Sequence, residues 1–167
     1  VAAFSWTFLN YGFQSWFNER VNTALGASRA VARAYLHEHR QNIRGDALAM
    51  ANDLNREAPL LARNPILFSR ILSNQAGVRG LPEVLVMDGT GRIMARSALS
   101  LSLSVDLVEP PVLDQARQGK VVVLTSGEDD RVRAIIRLNR FVDAYLLVGR
   151  FVDPKALEHI ERTNRAV

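Results

Sequence analysis

The spacing of hydrophobic positions in the first third of the chain predicts one long helix. Polarity changes at Asn18, and from there to about residue 62 good helix formers dominate, with no proline before Pro59. Apolar residues recur in steps of three and four, which is the spacing of one buried helical stripe. The stripe comprises Leu36, Ile43, Ala47, Met50, Leu54 and Leu61, and is widened by Leu48, Ala51 and Ala58.

The second half of the chain alternates short apolar runs with turn residues, which is typical of strands. The first two runs flank Gly89 and Gly91 and predict a tight β-hairpin. Three later runs follow one another through short links and predict an antiparallel meander. The predicted strands are residues 83–88, 92–97, 121–126, 132–138 and 144–151.

Short helices are predicted between and after these elements. Asn64 followed by Pro65 is a good helix start, and we expect that helix to end at Gly77. A second short helix is expected over residues 110–119 with Gly119 as its stop, and a final helix over residues 155–167. The predicted fold class is therefore α+β, with a long N-terminal helix packed on a five-stranded antiparallel sheet.

Residues 1–17, VAAFSWTFLNYGFQSWF, carry no charge and include two tryptophans and a tyrosine. We interpret this stretch as the end of a transmembrane helix, because these aromatic residues collect at membrane interfaces. The alternative is an apolar helix that packs inside a soluble oligomer. The expected organisation is this segment, one domain over residues 18–153, and a C-terminal helix over residues 154–167 that leads toward a further membrane segment.

The composition argues against several classes of function. Hydrophobic residues make up 48% and charged residues 23%, as in a globular domain. There is no cysteine, which excludes disulfides and thiolate chemistry. The net charge is +4 and the arginines are scattered, so we predict no nucleic-acid partner.

No motif for catalysis, a cofactor or a metal is present. His37 and His39 lie two apart on a predicted helix and would point to different faces, so we predict no metal site. The acids at 128–130 fit a solvated turn. A small enzyme built on Asp129, Asp130 and Arg131 is the least favoured alternative, since no motif places a base or nucleophile there.

One predicted strand has two unlike faces. Arg131, Arg133 and Arg137 share one parity, and the residues of the other parity are apolar. If the arginine face is covered, its guanidinium groups suit an anionic ligand. If it is open, they are simply solvated.

The order of elements and the hairpin PEVLVMDGTGRIMARS resemble the extracytoplasmic PDC/Cache sensor domains of bacterial receptors, which place a long helix before a PAS-like sheet. A closer similarity is to the sensor region of NtrY-type nitrogen-regulation histidine kinases from α-proteobacteria. It extends over nearly the whole chain and is carried by FLNYGFQSWFNERV, AYLHEHRQNIRGDALAMANDLN, GEDDRVRAIIRL and DAYLLVGRFVDPKALEHIERT.

The resemblance implies a bacterial inner-membrane parent with this domain in the periplasm and an NtrX-type response regulator as partner. The kinase domains would lie outside this sequence, so we expect no enzymatic activity from it. The long helix is expected to pair with its mate in a homodimer, because its apolar surface needs cover. The alternative is a solvent-exposed helix that forms because its residues have high helix propensity.

The predicted role is to relay signal binding or dimer rearrangement through the terminal helices. If a pocket for a small anionic or zwitterionic ligand exists, we expect it among polar residues of the strands, at Asp88, Arg96, Thr125, Arg133 and Tyr145. The alternatives are a ligand-free dimerisation or partner-binding module, and the ectodomain of a chemoreceptor.

Overall fold

The computed structural model describes residues 2–102, 108–125 and 131–153, with side chains omitted at 2–25 and 101–102. The chain divides into two compact units, one formed by residues 37–154 and the other including residues 1–36. The predicted helix over 155–167 and the acidic turn at 128–130 lie outside the described residues. Within the described part, no helix is both long enough and apolar enough to span a membrane.

The long helix α1 runs from Ala2 to Arg56, so it continues through the predicted start at residue 18. A short helix, α2 (Ala58–Leu61), follows it. The predicted stripe is confirmed from Ile43 onward by its buried members, which are Ile43, Ala47, Met50, Ala51, Leu54, Ala58 and Leu61. The inclusion of Leu48 is wrong, because five residues after Ile43 it points well away from that stripe and is exposed.

Helix α3 (Pro65–Arg79) begins where the sequence predicts. The Asn64 side chain accepts a hydrogen bond of 3.0 Å from the Leu67 N–H, as an N-cap does. Its predicted end at Gly77 is wrong, because the helix continues to Gly80, whose φ of 60° lies in the left-handed region. There the Leu81 N–H returns to the Ala76 carbonyl at 2.9 Å and closes the helix.

All five predicted strands form one antiparallel sheet, which confirms the predicted fold class with its PAS-like sheet. The spatial order is β2-β1-β5-β4-β3, so the hairpin and the meander are joined through β1 and β5. The strands are β1 (Glu83–Met87), β2 (Ile93–Arg96), β3 (Val122–Thr125), β4 (Arg131–Arg137) and β5 (Tyr145–Phe151).

One face of the sheet packs against α1 and α3, and we call it the α1/α3 face. The apolar parity of β4 lies on it and is buried, as predicted. On the neighbouring strand, Arg150 donates to Asp46 of α1 at 3.0 Å and to the Arg79 carbonyl of α3 at 3.0 Å. These bonds hold the C-terminal half of α1 against the sheet.

Helix α4 (Pro110–Arg117) covers part of the opposite face, which we call the α4 face. Gly119 ends this helix with a φ of 84°, as the sequence predicts. Two α4 residues join five strand residues in a buried apolar cluster of Leu85, Met87, Leu113, Ala116, Ile135, Tyr145 and Leu147. The centre of the α4 face is therefore filled by side chains, and any space for a ligand must lie at its margins.

Candidate functional site

The β1–β2 turn is organised by the Asp88 carboxylate. Its Oδ1 accepts bonds from the Thr90 N–H at 2.9 Å, the Thr90 hydroxyl at 2.6 Å and the Arg92 N–H at 3.0 Å. Its Oδ2 accepts a further bond from Arg92 Nε at 3.1 Å. The Thr90 hydroxyl is the largest of the influences that lower the pKa of Asp88 from 3.8 to about 2.

We expect Asp88→Asn to remove part of the acid-induced loss of stability. A carboxyl whose folded pKa is depressed stabilises the folded state above about pH 4, and this contribution disappears as the pH falls through about 2. Unfolding curves between pH 2 and 6 measure the effect. Thr90→Val should flatten the acid limb, because it removes the strongest of these bonds and brings the folded pKa of Asp88 back toward its ordinary value. A stability difference between Asp88→Asn and the native chain that does not change with pH would contradict this assignment.

A second contact fixes the same turn from outside. The Gly89 N–H donates to Asp143 Oδ2 in the β4–β5 connection at 2.9 Å. A Cβ on Gly89 would stand 2.8 Å from that oxygen, so a side chain there would push the two segments apart. The turn is therefore held in one position relative to the end of β4.

A pocket of about 520 Å³ lies between this turn and α4, at the margin of the α4 face. Its wall is mostly apolar, and its charged members are Asp114 and Arg117, which pair at 2.7 Å. The lining residues are Met87, Gly89, Thr90, Gly91, Ile93, Val108, Pro110, Leu113, Asp114 and Arg117. An apolar pocket with few polar groups on one side is the usual form of a small-molecule site.

Arg117 connects this pocket to the buried core. Its Nε donates to the hydroxyl of Tyr145 at 3.2 Å, and the Tyr145 ring belongs to the apolar cluster. The bond to Tyr145 is the main cause that raises the pKa of Arg117 above its ordinary value. The guanidinium is thus a fixed cation at the end of the pocket.

Two other arginines of the α4 face lack an ion-pair partner among the described residues. Arg137 lies beside Tyr145 in register and donates only to the Arg117 carbonyl, at 3.4 Å. Arg96 lies opposite Leu85 on β2. The Nε atoms of Arg96 and Arg137 are buried without a hydrogen-bond partner in the described part of the chain. This margin of the sheet therefore has an excess of positive charge.

Arg133 is in a different environment, at the other end of the α4 face. Its Nε donates to Glu83 Oε2 at 2.8 Å, and Arg131 lies 3.4 Å from Glu83 Oε1. The Glu83 side chain is 1% exposed, and those of Arg131 and Arg133 are 11% and 13% exposed. The arginine face is thus covered, but a buried carboxylate offsets part of its charge at this end.

The structure brings only some of the predicted pocket residues together. Arg96, Arg133 and Tyr145 lie on the α4 face, but the rows of Tyr145 and Arg133 are four residues apart on β5, or about 13 Å. Thr125 pairs with Val132 and lies on the α1/α3 face. Asp88 lies in the turn, whose next three residues line the pocket. Among the described residues, no three histidines or carboxylates come together as a metal site would require.

Sequence reasoning missed Arg117, Asp114 and Glu83. Arg117 and Asp114 are three apart on a predicted helix, which places them on one side of it, but nothing in the sequence shows which element that side meets. A buried ion pair at Glu83 was only weakly indicated: Glu83 is a charged residue directly before the apolar run of its predicted strand, and another predicted strand carries arginines.

Comparison with known proteins identifies the family. The NtrY N-terminal region family matches residues 1–167. An NtrY-like sensor histidine kinase of Rickettsia conorii is 38% identical over 99% of the chain. The nitrogen regulation protein NtrY of Azorhizobium caulinodans is 28% identical over 95% of it. Among solved structures, the E. coli DcuS sensor domain matches with a TM-score of 0.48 and 14% identity, covering 73% of this chain and 97% of that one.

The chain spans 28% of the Rickettsia protein and 21% of the Azorhizobium protein. The family match, in contrast, extends over the whole of the present sequence. The chain therefore belongs to the family of NtrY N-terminal regions.

Proposed function

We propose that this chain is the signal-receiving region of an NtrY-type sensor histidine kinase, and that it binds a small ligand in the pocket between the β1–β2 turn and α4. Family membership supports the first part. The observation that carries the second part is a pocket of about 520 Å³ with an apolar wall and Arg117 at one end. The kinase chemistry belongs to segments outside this chain.

The pocket suits a ligand with an apolar body and an anionic group. Arg117 is held by the Tyr145 hydroxyl and therefore offers donors at a fixed place. Asp114 lines the same pocket, so it would receive the ammonium group of a zwitterion while Arg117 takes the carboxylate. Among the residues predicted from sequence, Tyr145 and Arg96 support this site most directly, because Tyr145 positions Arg117 and Arg96 adds positive charge to the same face.

Signal transfer would use two arrangements of the domain with different ligand affinity, since a ligand shifts an equilibrium only by its differential binding. We propose that the chain works as a homodimer through α1, where Leu48 is exposed outside the buried stripe. The terminal helices would carry the displacement through the inner membrane from a periplasmic domain. The partner that receives the phosphoryl group would be a response regulator of the NtrX type.

A thermal-shift screen of the chain against amino acids, carboxylates, nitrate and nitrite tests the ligand proposal. Binding stabilises the folded state by about 2.7 kcal/mol when the ligand concentration is a hundred times Kd, and this raises the melting temperature. We expect Arg117→Ala to abolish the shift caused by an anionic hit, and Arg70→Ala to preserve it, because Arg70 is exposed on α3 outside the pocket.

Ile93→Trp gives an independent check, because it fills the apolar wall without removing a charge. A hit that survives both Arg117→Ala and Ile93→Trp would place the ligand elsewhere. The absence of any shift would favour the second candidate, a dimerisation and partner-binding module without a small ligand. The exposed Leu48 on α1 supports that candidate. The NtrY relatives favour a kinase sensor over a chemoreceptor ectodomain.

A further inference from the structure

The connection between β4 and β5 is fixed at several points although it lies on the surface. The Leu138 N–H donates to the Ala144 carbonyl at 2.8 Å, and the Arg140 N–H donates to Asn55 Oδ1 of α1 at 3.1 Å. The Phe141 ring is buried and stacks on Phe68 of α3 with centroids 5.4 Å apart. The bond between Asp143 and Gly89 fixes its last part. The backbone of this connection therefore has little freedom.

Val142 projects from this fixed backbone into solvent. Its side chain is 99% exposed, between a buried Phe141 and a buried Ala144. A β-branched side chain on a constrained backbone loses little conformational entropy on association. An isolated exposed valine needs no explanation, but this one is held rigidly beside an apolar recess and can contact a partner at little ordering cost.

The recess next to Val142 has a volume of about 460 Å³. Its floor and sides are largely apolar and come from α2, β2 and the β4–β5 connection. These residues are Ala58, Pro59, Ala62, Met94, Phe141 and Val142. Leu60 of α2 is also exposed. A projecting side chain and an apolar recess side by side fit a protein surface better than a small molecule, which is normally enclosed.

The charged side chains around the recess are two arginines and two aspartates, and the arginines have hydrogen-bond donors that no described residue uses. The Arg140 side chain makes no hydrogen bond or ion pair with any described residue, and Arg92, which is 80% exposed, uses only its Nε on Asp88. Both arginines line the recess. The two carboxylates in the lining are already engaged, Asp88 by the turn and Asp143 by Gly89. The open donors at the rim therefore select carboxylates on an incoming surface.

We propose that this surface, formed by Val142, the adjacent recess, Arg92 and Arg140, binds an acidic segment of a protein partner. An apolar side chain of the segment enters the recess and packs against Met94 and Phe141. Its flanking Asp or Glu residues pair with Arg92 and Arg140. This site is separate from the pocket beside α4 and does not depend on a small ligand there.

Selection of peptides from a phage-displayed random dodecapeptide library on the 167-residue chain tests the proposal. We expect the enriched peptides to carry an apolar residue flanked by Asp or Glu. Synthetic versions should bind at least about tenfold more weakly to Val142→Asp and to Arg140→Glu, and more weakly at 500 mM than at 50 mM NaCl. Val78→Asp and Arg70→Glu are the matched controls, since both residues are exposed on α3 outside this recess.

Each other outcome overturns the proposal. Enriched peptides without acidic residues, or with equal affinity for Val142→Asp and Val78→Asp, would place recognition elsewhere. If the library yields no specific peptide, the proposed peptide-binding site is wrong. Self-association of the chain that is abolished by Val142→Asp, measured by sedimentation, would assign the surface to a second copy of this chain. Melting temperatures of the variants show that each is folded when binding is measured.

Discussion

Gly149→Ala is expected to lower the free energy of unfolding by about 2–3 kcal/mol, although it adds one methyl group. Gly149 lies in the middle strand, β5, opposite Glu83 of β1 and Arg133 of β4. An added Cβ would overlap Glu83 Oε2 and stand 3.1 Å from both Glu83 Cβ and Glu83 Cδ. The carboxylate would have to move, and its bond to Arg133 Nε would be lost in a site where both side chains are largely buried.

Urea unfolding measures this change, and Gly45→Ala provides the control. Gly45 is an exposed position within α1 where an added Cβ meets nothing within 4 Å. Alanine there should raise the free energy of unfolding by about 1 kcal/mol, through helix propensity alone. The two glycines therefore predict changes of opposite sign for the same substitution. A Gly149→Ala protein as stable as the native chain would show that the sheet admits a side chain at this position.

Glu83→Gln is expected to lower the free energy of unfolding by about 3 kcal/mol, because it breaks a buried ion pair from one side. The amide has nearly the volume of the carboxylate, so the change removes charge without leaving a cavity. Arg131 and Arg133 would remain largely buried beside a neutral group. Denaturant unfolding at pH 7 measures the loss.

The exposed pair of Arg56 and Asp53 is the control for Glu83→Gln. Arg56→Gln should change the free energy of unfolding by less than about 0.5 kcal/mol, because water screens such a pair. Combined with Gly149→Ala, Glu83→Gln should cost less than the sum of the single changes, since both disrupt the same carboxylate. Strict additivity, or a Glu83→Gln protein of native stability, would contradict a structural role for this carboxylate.

The elements of this fold are predictable because each is encoded locally. Asn64 and Pro65 start α3, and Gly119 ends α4. The ends of the predicted strands differ from the observed ends by no more than one residue. The end of α3 was missed because Gly77 and Gly80 are three residues apart and either suits a helix stop. The choice of Gly80 depends on the closing bond from Leu81, which the sequence does not display.

The candidate site was less predictable, because it depends on pairing register. Alternation along β3 shows that Leu124 and Thr125 face opposite ways, but only the pairing with β4 assigns Thr125 to the α1/α3 face. Glu83 and Arg133 are 50 residues apart, and Arg117 and Tyr145 are 28 apart. No local pattern links such residues, so neither the ion pairs of Glu83 nor the fixed cation of the pocket follows from the sequence.

The central position of β5 has a consequence for how the chain is made. The strand that lies between β1 and β4 is the last of the sheet to be synthesised. Until Phe151 has left the ribosome, the hairpin and the β3–β4 pair have no shared hydrogen bonds. Their apolar edges stay unpaired, which is a hazard for aggregation. The sheet is therefore completed only when its last strand is available, and factors that protect unfolded chains would act on its two halves before they meet.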